Sequence, residues 1–552
     1  MEPRARGLSG GTAVHSDGGI VVSAHTLASA AGLSVIRTGG NAVDAAVATG
    51  MALAVVHPTA GNIGGGGFML VRTRGGRVSA FDFREMAPAA ATPAMYLGPD
   101  GTYVRNSNHE GYRSVGVPGT VAGFDLALRR HGSRKWRELV APAVRLAENG
   151  FRLSPAMARS FAALTPTWRR YPSSAAMFLR PDGANYRAED LWRQPLLAAT
   201  LKRIQEHGAD GFYRGPTARL IEEDMRKHGG LITADDLDRY RARERQPILG
   251  RFRDYEIYSM PPPSSGGVAL VEMLNILEGY DLRSLGHNSP EYLHRLAEAM
   301  RFAFTDRARY LGDPDFNPRI PVRRLTSKRY ADDLRRKINP AHAGTSDPSQ
   351  VNEPPESPET THFSVIDREG NAVVVTYTLE QGYGCKIAAE RLGFLYNNEM
   401  GDFNPQPGHT DSTGLIGTPA NRIAPRKRML SSMTPTLVVR DGQPRLLVGS
   451  PGGRTIINTV LQVTLNVLEF GMSPSEAVSA GRIHHQWLPD EIVAETGSFP
   501  SRAITRLRGL GHTVRSGARQ GSAMVIGVNP STGLRTGASD PREADGSALG
   551  EP

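Results

Sequence analysis

A proline-rich run, 340-PAHAGTSDPSQVNEPPESPE-359, ends against a strong strand pattern that opens with two threonines, 360-TTHFSVID-367. Five prolines and almost no apolar side chains leave the run nothing to bury, so it is exposed chain between two ordered parts. In an arbitrary protein such a segment is a domain linker. The two threonines and the strand pattern they open favour a second reading.

The strand pattern THFSVID is succeeded by NAVVVTYTL, with Asp367-Arg368-Glu369-Gly370-Asn371 between them. A three-residue loop with Gly370 in the left-handed conformation is a common hairpin connection. Asp367 then faces Asn371, His362 faces Thr376, and Thr360 faces Thr378. Facing threonines in a sheet are ordinarily just a cross-strand pair. A threonine hydroxyl becomes a nucleophile only with a base in reach. If the chain were cut before Thr360, its own new amine, titrating near pH ~7.7–8.0, could serve.

The rest of the chain bounds the possibilities. At 552 residues it exceeds one small core, and 39% hydrophobic with 22% charged residues is ordinary for a folded protein. The net charge of +10 raises the question of nucleic acid. Only seven lysines contribute (Lys135, Lys202, Lys227, Lys328, Lys337, Lys386, Lys427), and the arginines are scattered among acids with no basic run. One cysteine, Cys385, excludes an internal disulfide and a cysteine-cluster metal site. His484-His485 lacks ligand spacing, so no metal is expected. The Gly64–Gly67 run lacks the Lys-Ser/Thr of a phosphate loop and reads as close backbone packing. No stretch reads as a membrane span, and the N-terminus has no apolar core of a secretory signal. The expected compartment is cytoplasmic, or periplasmic or secreted if the true start lies upstream.

Along the chain, the first 90 residues read as strand, helix, helix, Gly-rich turn, strand, with Asn41 and Asp44 spaced as a capping box. Residues 120–310 are mostly helical by pattern, and short alternating strands take over from 360. Residues 455–471 form a further helix.

Several blocks carry a resemblance: GGNAVDAAVA (39–48), GNIGGGGF (61–68), FDFREMAP (81–88), TTHFSVIDREGNAVVVTYTLEQGYG from 360, NNEMGDF (397–403), KRMLSSMTPT (427–436), GSPGGRTII (449–457) and GASDPREADG (537–546). In this order they resemble the γ-glutamyltransferases of the N-terminal nucleophile hydrolase superfamily, across almost the whole chain. The resemblance implies an α/β, four-layer αββα sandwich built jointly by two self-cleaved parts, 1–359 and 360–552, which stay together as a heterodimer and fold as one unit. It implies no cofactor, and neither a nucleic acid nor a membrane as partner.

The same resemblance assigns roles. Thr360 is the nucleophile, freed by cleavage after Glu359, with Thr378 beside it. Gly452 and Gly453 match the oxyanion pair, where backbone N–H groups approach a developing oxyanion closely. Arg84 matches the carboxylate-binding arginine, and a guanidinium fork suits that task; a lone arginine there would otherwise pair with Glu85 or Asp82. Ser431 and Ser432 also match carboxylate ligands. Asp402 matches the main ammonium ligand, Glu399 a second acceptor, and Glu380 stands where many relatives have Asn. Thr413 stands where some bacterial relatives carry a tyrosine gate, which points to a more open pocket mouth. The implied substrate is glutathione or a related γ-glutamyl conjugate, with water, an amino acid or a peptide as acceptor. Rivals are a same-fold cephalosporin acylase or poly-γ-glutamate hydrolase, and a binding protein with a dead site.

Overall fold

The computed structural model describes residues 13–350, 360–412 and 417–552. Glu359 and Thr413, both candidates for a functional role, lie outside the described residues.

Two seven-stranded antiparallel sheets make the centre. The first runs Ser547–Gly550, Ile20–Ser23, Thr361–Ile366, Ala372–Thr378, Gly66–Arg72, Val78–Phe83, Arg243–Arg245. The second runs Ala13–Ser16, Arg535–Ser539, Met524–Val528, Gln443–Gly449, Thr436–Arg440, Tyr255–Ser259, Ile248–Phe252. They pack face to face, and helices cover both outer faces, which is the expected αββα sandwich. Both sheets combine strands from before and after the proline-rich run, and strands after it lie between strands before it.

The hairpin forms in the expected register, with His362 opposite Thr376 and Ile366 opposite Ala372. Gly370 takes φ +85°, and Asp367 and Asn371 close the loop. Every residue of the two strands is buried. One face meets the second sheet, while the helix Ala42–Val56, itself buried all round, covers the other. Each fully buried Val or Phe here contributes roughly 1.5–3 kcal/mol, and these strands belong to the main core cluster. The hairpin turn also caps that helix: Asp367 Oδ2 accepts from Ala42 N at 2.8 Å. The Asn41–Asp44 capping box is present as well.

Two local expectations change. Two strands, not one, precede the first helices, and Gly66 and Gly67 open a strand rather than a turn. The reason is close approach: a Cβ on Gly67 would lie 2.4 Å from Thr376 O, and one on Gly65 2.0 Å from Thr378 O. The mostly helical stretch 120–310 is also interrupted by the strands between Arg243 and Ser259. Among the described residues, no helix is long and apolar enough to cross a membrane.

Candidate active site

Thr360 and Thr378 meet at the open end of the hairpin. Thr360 Oγ lies 3.3 Å from Thr378 Oγ, which also accepts from Glu380 N at 2.9 Å. Behind them His362 bonds Thr376 Oγ at 2.8 Å and Ser364 Oγ at 3.1 Å. Burial holds the His362 pKa down to about 3, so this imidazole is neutral and structural.

The threonine pair lines a pocket of about 230 Å³ with Arg84, Glu380, Glu399, Asp402, Ser431, Ser432 and Gly453. Nine of the ten candidate catalytic and substrate-binding residues therefore converge. Gly452, the tenth, adjoins Gly453 and lines the neighbouring cleft. A wider surface cleft of about 1000 Å³ lies near Arg253, Glu278 and Tyr280, but its lining is ion-paired surface chain without a nucleophile. The smaller pocket is the one that holds the threonine pair.

Arg84 comes directly after the strand Val78–Phe83 and is 1% exposed. Its Nη1 lies 2.5 Å from Glu399 and 3.5 Å from Glu85, its Nη2 pairs with Asp402, and Nε and Nη2 also reach the carbonyls of Met429 and Leu430. The cation expected at the carboxylate end and the acids expected at the ammonium end are interlocked in the folded chain. Asp82 accepts the Arg84 backbone N–H at 3.0 Å, while its charge pairs with Arg245 at 2.7 Å. Asn421 staples this wall by donating to Asp402 O and accepting from Leu430 N.

Three carboxylates crowd one guanidinium here, and burial decides the outcome. It pushes Glu85 up to about 8, and Glu399 well above the ordinary carboxylate range, against the pull of Arg84. Glu380 sits at φ +78°, a backbone strain of order 1–3 kcal/mol for a non-glycine residue. Its Oε2 lies 3.2 Å from His109 Nδ1, and its Oε1 has no hydrogen-bond partner among the described residues. Burial opposes the His109 cation, yet Glu380 and then Asp402 outweigh it and raise the His109 pKa.

Gly453 at the pocket and Gly452 next to it take φ +54° and +134° just before the helix Thr455–Leu468. A Cβ on Gly452 would lie 2.3 Å from Thr455 Oγ1. This turn therefore needs glycine twice over, for conformation and for space.

The sequence missed three contributors. His109 lies in an irregular segment far from any quoted block. Arg307 donates to Ser432 Oγ at 3.1 Å, and Ser265 donates to Ser431 O at 2.7 Å. Only the Ser-Ser-Gly-Gly after Pro263 hinted at a tight structure there. Two groups offer metal-ligand side chains away from the pocket, His294-Glu298-His512 and Asp224-His228-Glu390. Their polar atoms already bond one another or neighbouring chain, as His294 Nδ1 does with His512 Nε2 at 2.7 Å. His484 and His485 bond Gln486 and Asp490.

A family model described as gamma-glutamyltranspeptidase matches residues 28–550. The glutathione hydrolase proenzyme of Escherichia coli (strain K12) is 45% identical over 535 residues, 96% of this chain and 92% of its own length. The crystal structure of a cephalosporin acylase from Bacillus halodurans superposes with a TM-score of 0.86 at 27% identity, covering 100% of this chain and 98% of that one. A chain of Helicobacter pylori gamma-glutamyltranspeptidase gives a TM-score of 0.57 at 46% identity, covering 58% of this chain and 91% of that chain. On the matched length and these likenesses, the chain belongs to the gamma-glutamyltranspeptidase family.

Proposed function

We propose that this protein is a self-processing γ-glutamyltransferase and glutathione hydrolase. The observation that carries the reading is the pocket itself, which sets a threonine pair beside Arg84, two serines and three carboxylates. A γ-glutamyl group bears an α-carboxylate and an α-ammonium, and this lining offers partners for both.

In the first step Thr360 Oγ attacks the Glu359 carbonyl. The peptide C–N bond breaks, the Thr360 nitrogen takes the proton, and water hydrolyses the resulting ester. The freed amine is then the base. Thr360 Oγ attacks the γ-carbonyl of the donor, its proton passes through that amine to the leaving nitrogen, and a γ-glutamyl ester remains. Water, an amino acid or a peptide takes the acyl group. Thr378 holds the attacking hydroxyl. The N–H groups of Gly452 and Gly453 receive the oxyanion, each such donor contributing roughly 2.7–4 kcal/mol, with the helix Thr455–Leu468 directing its positive end the same way.

The donor's carboxylate engages Arg84, Ser431 and Ser432, and its ammonium engages Asp402, Glu399 and Glu380. A zwitterion entering this pocket replaces part of the Arg84–Asp402–Glu399 pairing with equivalent charges. The two fragments, 1–359 and 360–552, stay associated as a heterodimer. The likeness to a cephalosporin acylase supports a second reading, with a different acyl group on the same nucleophile.

Purified protein should run as two fragments, the smaller beginning at Thr360, and should release aniline from a γ-glutamyl anilide. Faster hydrolysis of a cephalosporin side chain than of that anilide would transfer support to the acylase reading.

A further inference from the structure

Arg307 projects from the end of the helix Pro290–Tyr310 and is 1% exposed. Its Nε donates to Ser265 Oγ at 2.9 Å and its Nη2 to Ser432 Oγ at 3.1 Å. Ser265 hands the interaction on, since both its hydroxyl and its backbone N–H reach Ser431 O at 2.7 Å. Ser431 N returns to Pro263 O at 3.0 Å, and Ser264 Oγ donates to Met433 O at 2.7 Å. The segment 263–265 is thus laced to 431–433, and Arg307 ties the two together.

The polarity of these bonds is fixed by chemistry. A guanidinium has donors only, so Ser432 Oγ meets Arg307 with a lone pair and keeps its own proton for another acceptor. Accepting from a cation also strengthens that hydroxyl as a donor. Ser432 lines the pocket, so its O–H is prepared for an anion, with positive charge buried behind it.

We infer that Arg307 is a positioning residue for the donor's α-carboxylate, setting the Ser431-Ser432 pair and turning Ser432 into a hydrogen-bond donor. This rests on the proposed γ-glutamyl activity. It assigns Arg307 no part in the attack on the γ-carbonyl or in self-cleavage, because neither step involves the α-carboxylate.

The test compares two anilides, γ-glutamyl and 4-aminobutyryl, the second lacking only the α-carboxylate. Arg307→Gln should process normally and raise KM for the γ-glutamyl donor about tenfold, with kcat within about threefold. Its kcat/KM for the 4-aminobutyryl donor should stay within about twofold. Arg307→Lys should fall between, because an ammonium keeps the charge but cannot span both serines. Ser265→Ala should raise KM for the γ-glutamyl donor about threefold. Equal losses on both donors, or none on either, overturn the inference. If Arg307→Gln does not process, the same comparison in Arg307→Lys and Ser265→Ala decides it. Absence of γ-glutamyl turnover in the unaltered protein removes the parent reading and this inference together; an active enzyme indifferent to Arg307 removes this inference alone.

Discussion

Around Thr360, Arg84 faces Asp402 and Glu399 beside a cavity. Around Glu298, Arg301 faces Glu298 and Asp490 at 3.1 Å each, and backbone fills the space between them. Gly344 N donates to Glu298, Gly344 O accepts from Arg301, and Ser346 N donates to Asp490. His294 adds a bond to Asn339 O at 2.8 Å. Both clusters bury a guanidinium between two carboxylates. In the second, Arg301 Nε and Ser346 Oγ also lack a hydrogen-bond partner among the described residues, but both carboxylates accept backbone N–H groups, and the cluster pins residues 339–346. In the first, Glu380 Oε1, Glu399 Oε1 and both Glu85 oxygens have no hydrogen-bond partner among the described residues. Unmet acceptors beside a cavity cost stability unless a ligand supplies donors. The difference separates a binding site from a structural rivet.

The severest challenge to this contrast is Thr360→Ala. It should leave one uncut chain and lower γ-glutamyl turnover by at least roughly 10⁴-fold; normal processing on a gel would remove Thr360 as nucleophile. Next comes Asp402→Asn, which takes one charge from the open cluster and should lower kcat/KM about 10²–10³-fold, in line with roughly 3–5 kcal/mol for breaking a buried pair. Arg84→Lys keeps the charge but loses the fork, and KM should rise about 10- to 100-fold. Near-normal KM would detach Arg84 from the substrate. Glu298→Gln carries the contrast to the rivet: melting should move down by a few degrees for a loss of about 3 kcal/mol, with KM unchanged. A KM shift there would mean that the two clusters are not separate.

The mildest change belongs to His109→Gln. The folded-state pKa of His109 is raised, so its pairing with Glu380 stabilises fully below the ordinary histidine value and is lost as pH rises through the raised one. Unfolding free energies from urea titration of the unaltered protein and the variant should differ by under about 1 kcal/mol at pH ~5.5 and converge at pH ~9. In the unaltered protein, KM for the donor should fall across that interval, as the cation competing for Glu380 disappears, and the variant should flatten the change. Identical pH profiles would exclude His109.

Much of this was legible in the chain. The hairpin register comes from a three-residue loop, the helix start from Asn41 and Asp44, and the glycine run from the lack of any phosphate-loop lysine. Those are local rules, and local rules survive folding. The converging side chains were legible only through block resemblance, because Arg84 and Asp402 lie 318 positions apart and no periodicity links them. Asp367 on the helix at Ala42, Arg307 behind Ser432 and His109 beside Glu380 were not legible at all. Each is a long-range contact of an ordinary polar residue, with no composition or spacing to mark it. The interleaving of strands belongs here too, since antiparallel neighbours far apart in sequence leave no periodic trace.

That interleaving has a kinetic consequence for the proposed cleavage. The strands Thr361–Ile366 and Ala372–Thr378 lie between Ile20–Ser23 and Gly66–Arg72, hydrogen-bonded on both sides. Fragments joined this way have no interface that can open while both remain folded. Mixing two differently tagged, processed preparations should therefore give hybrids only at the rate of global unfolding, whatever the dilution. Subunit exchange in this molecule would be a clock for denaturation, not a measure of affinity.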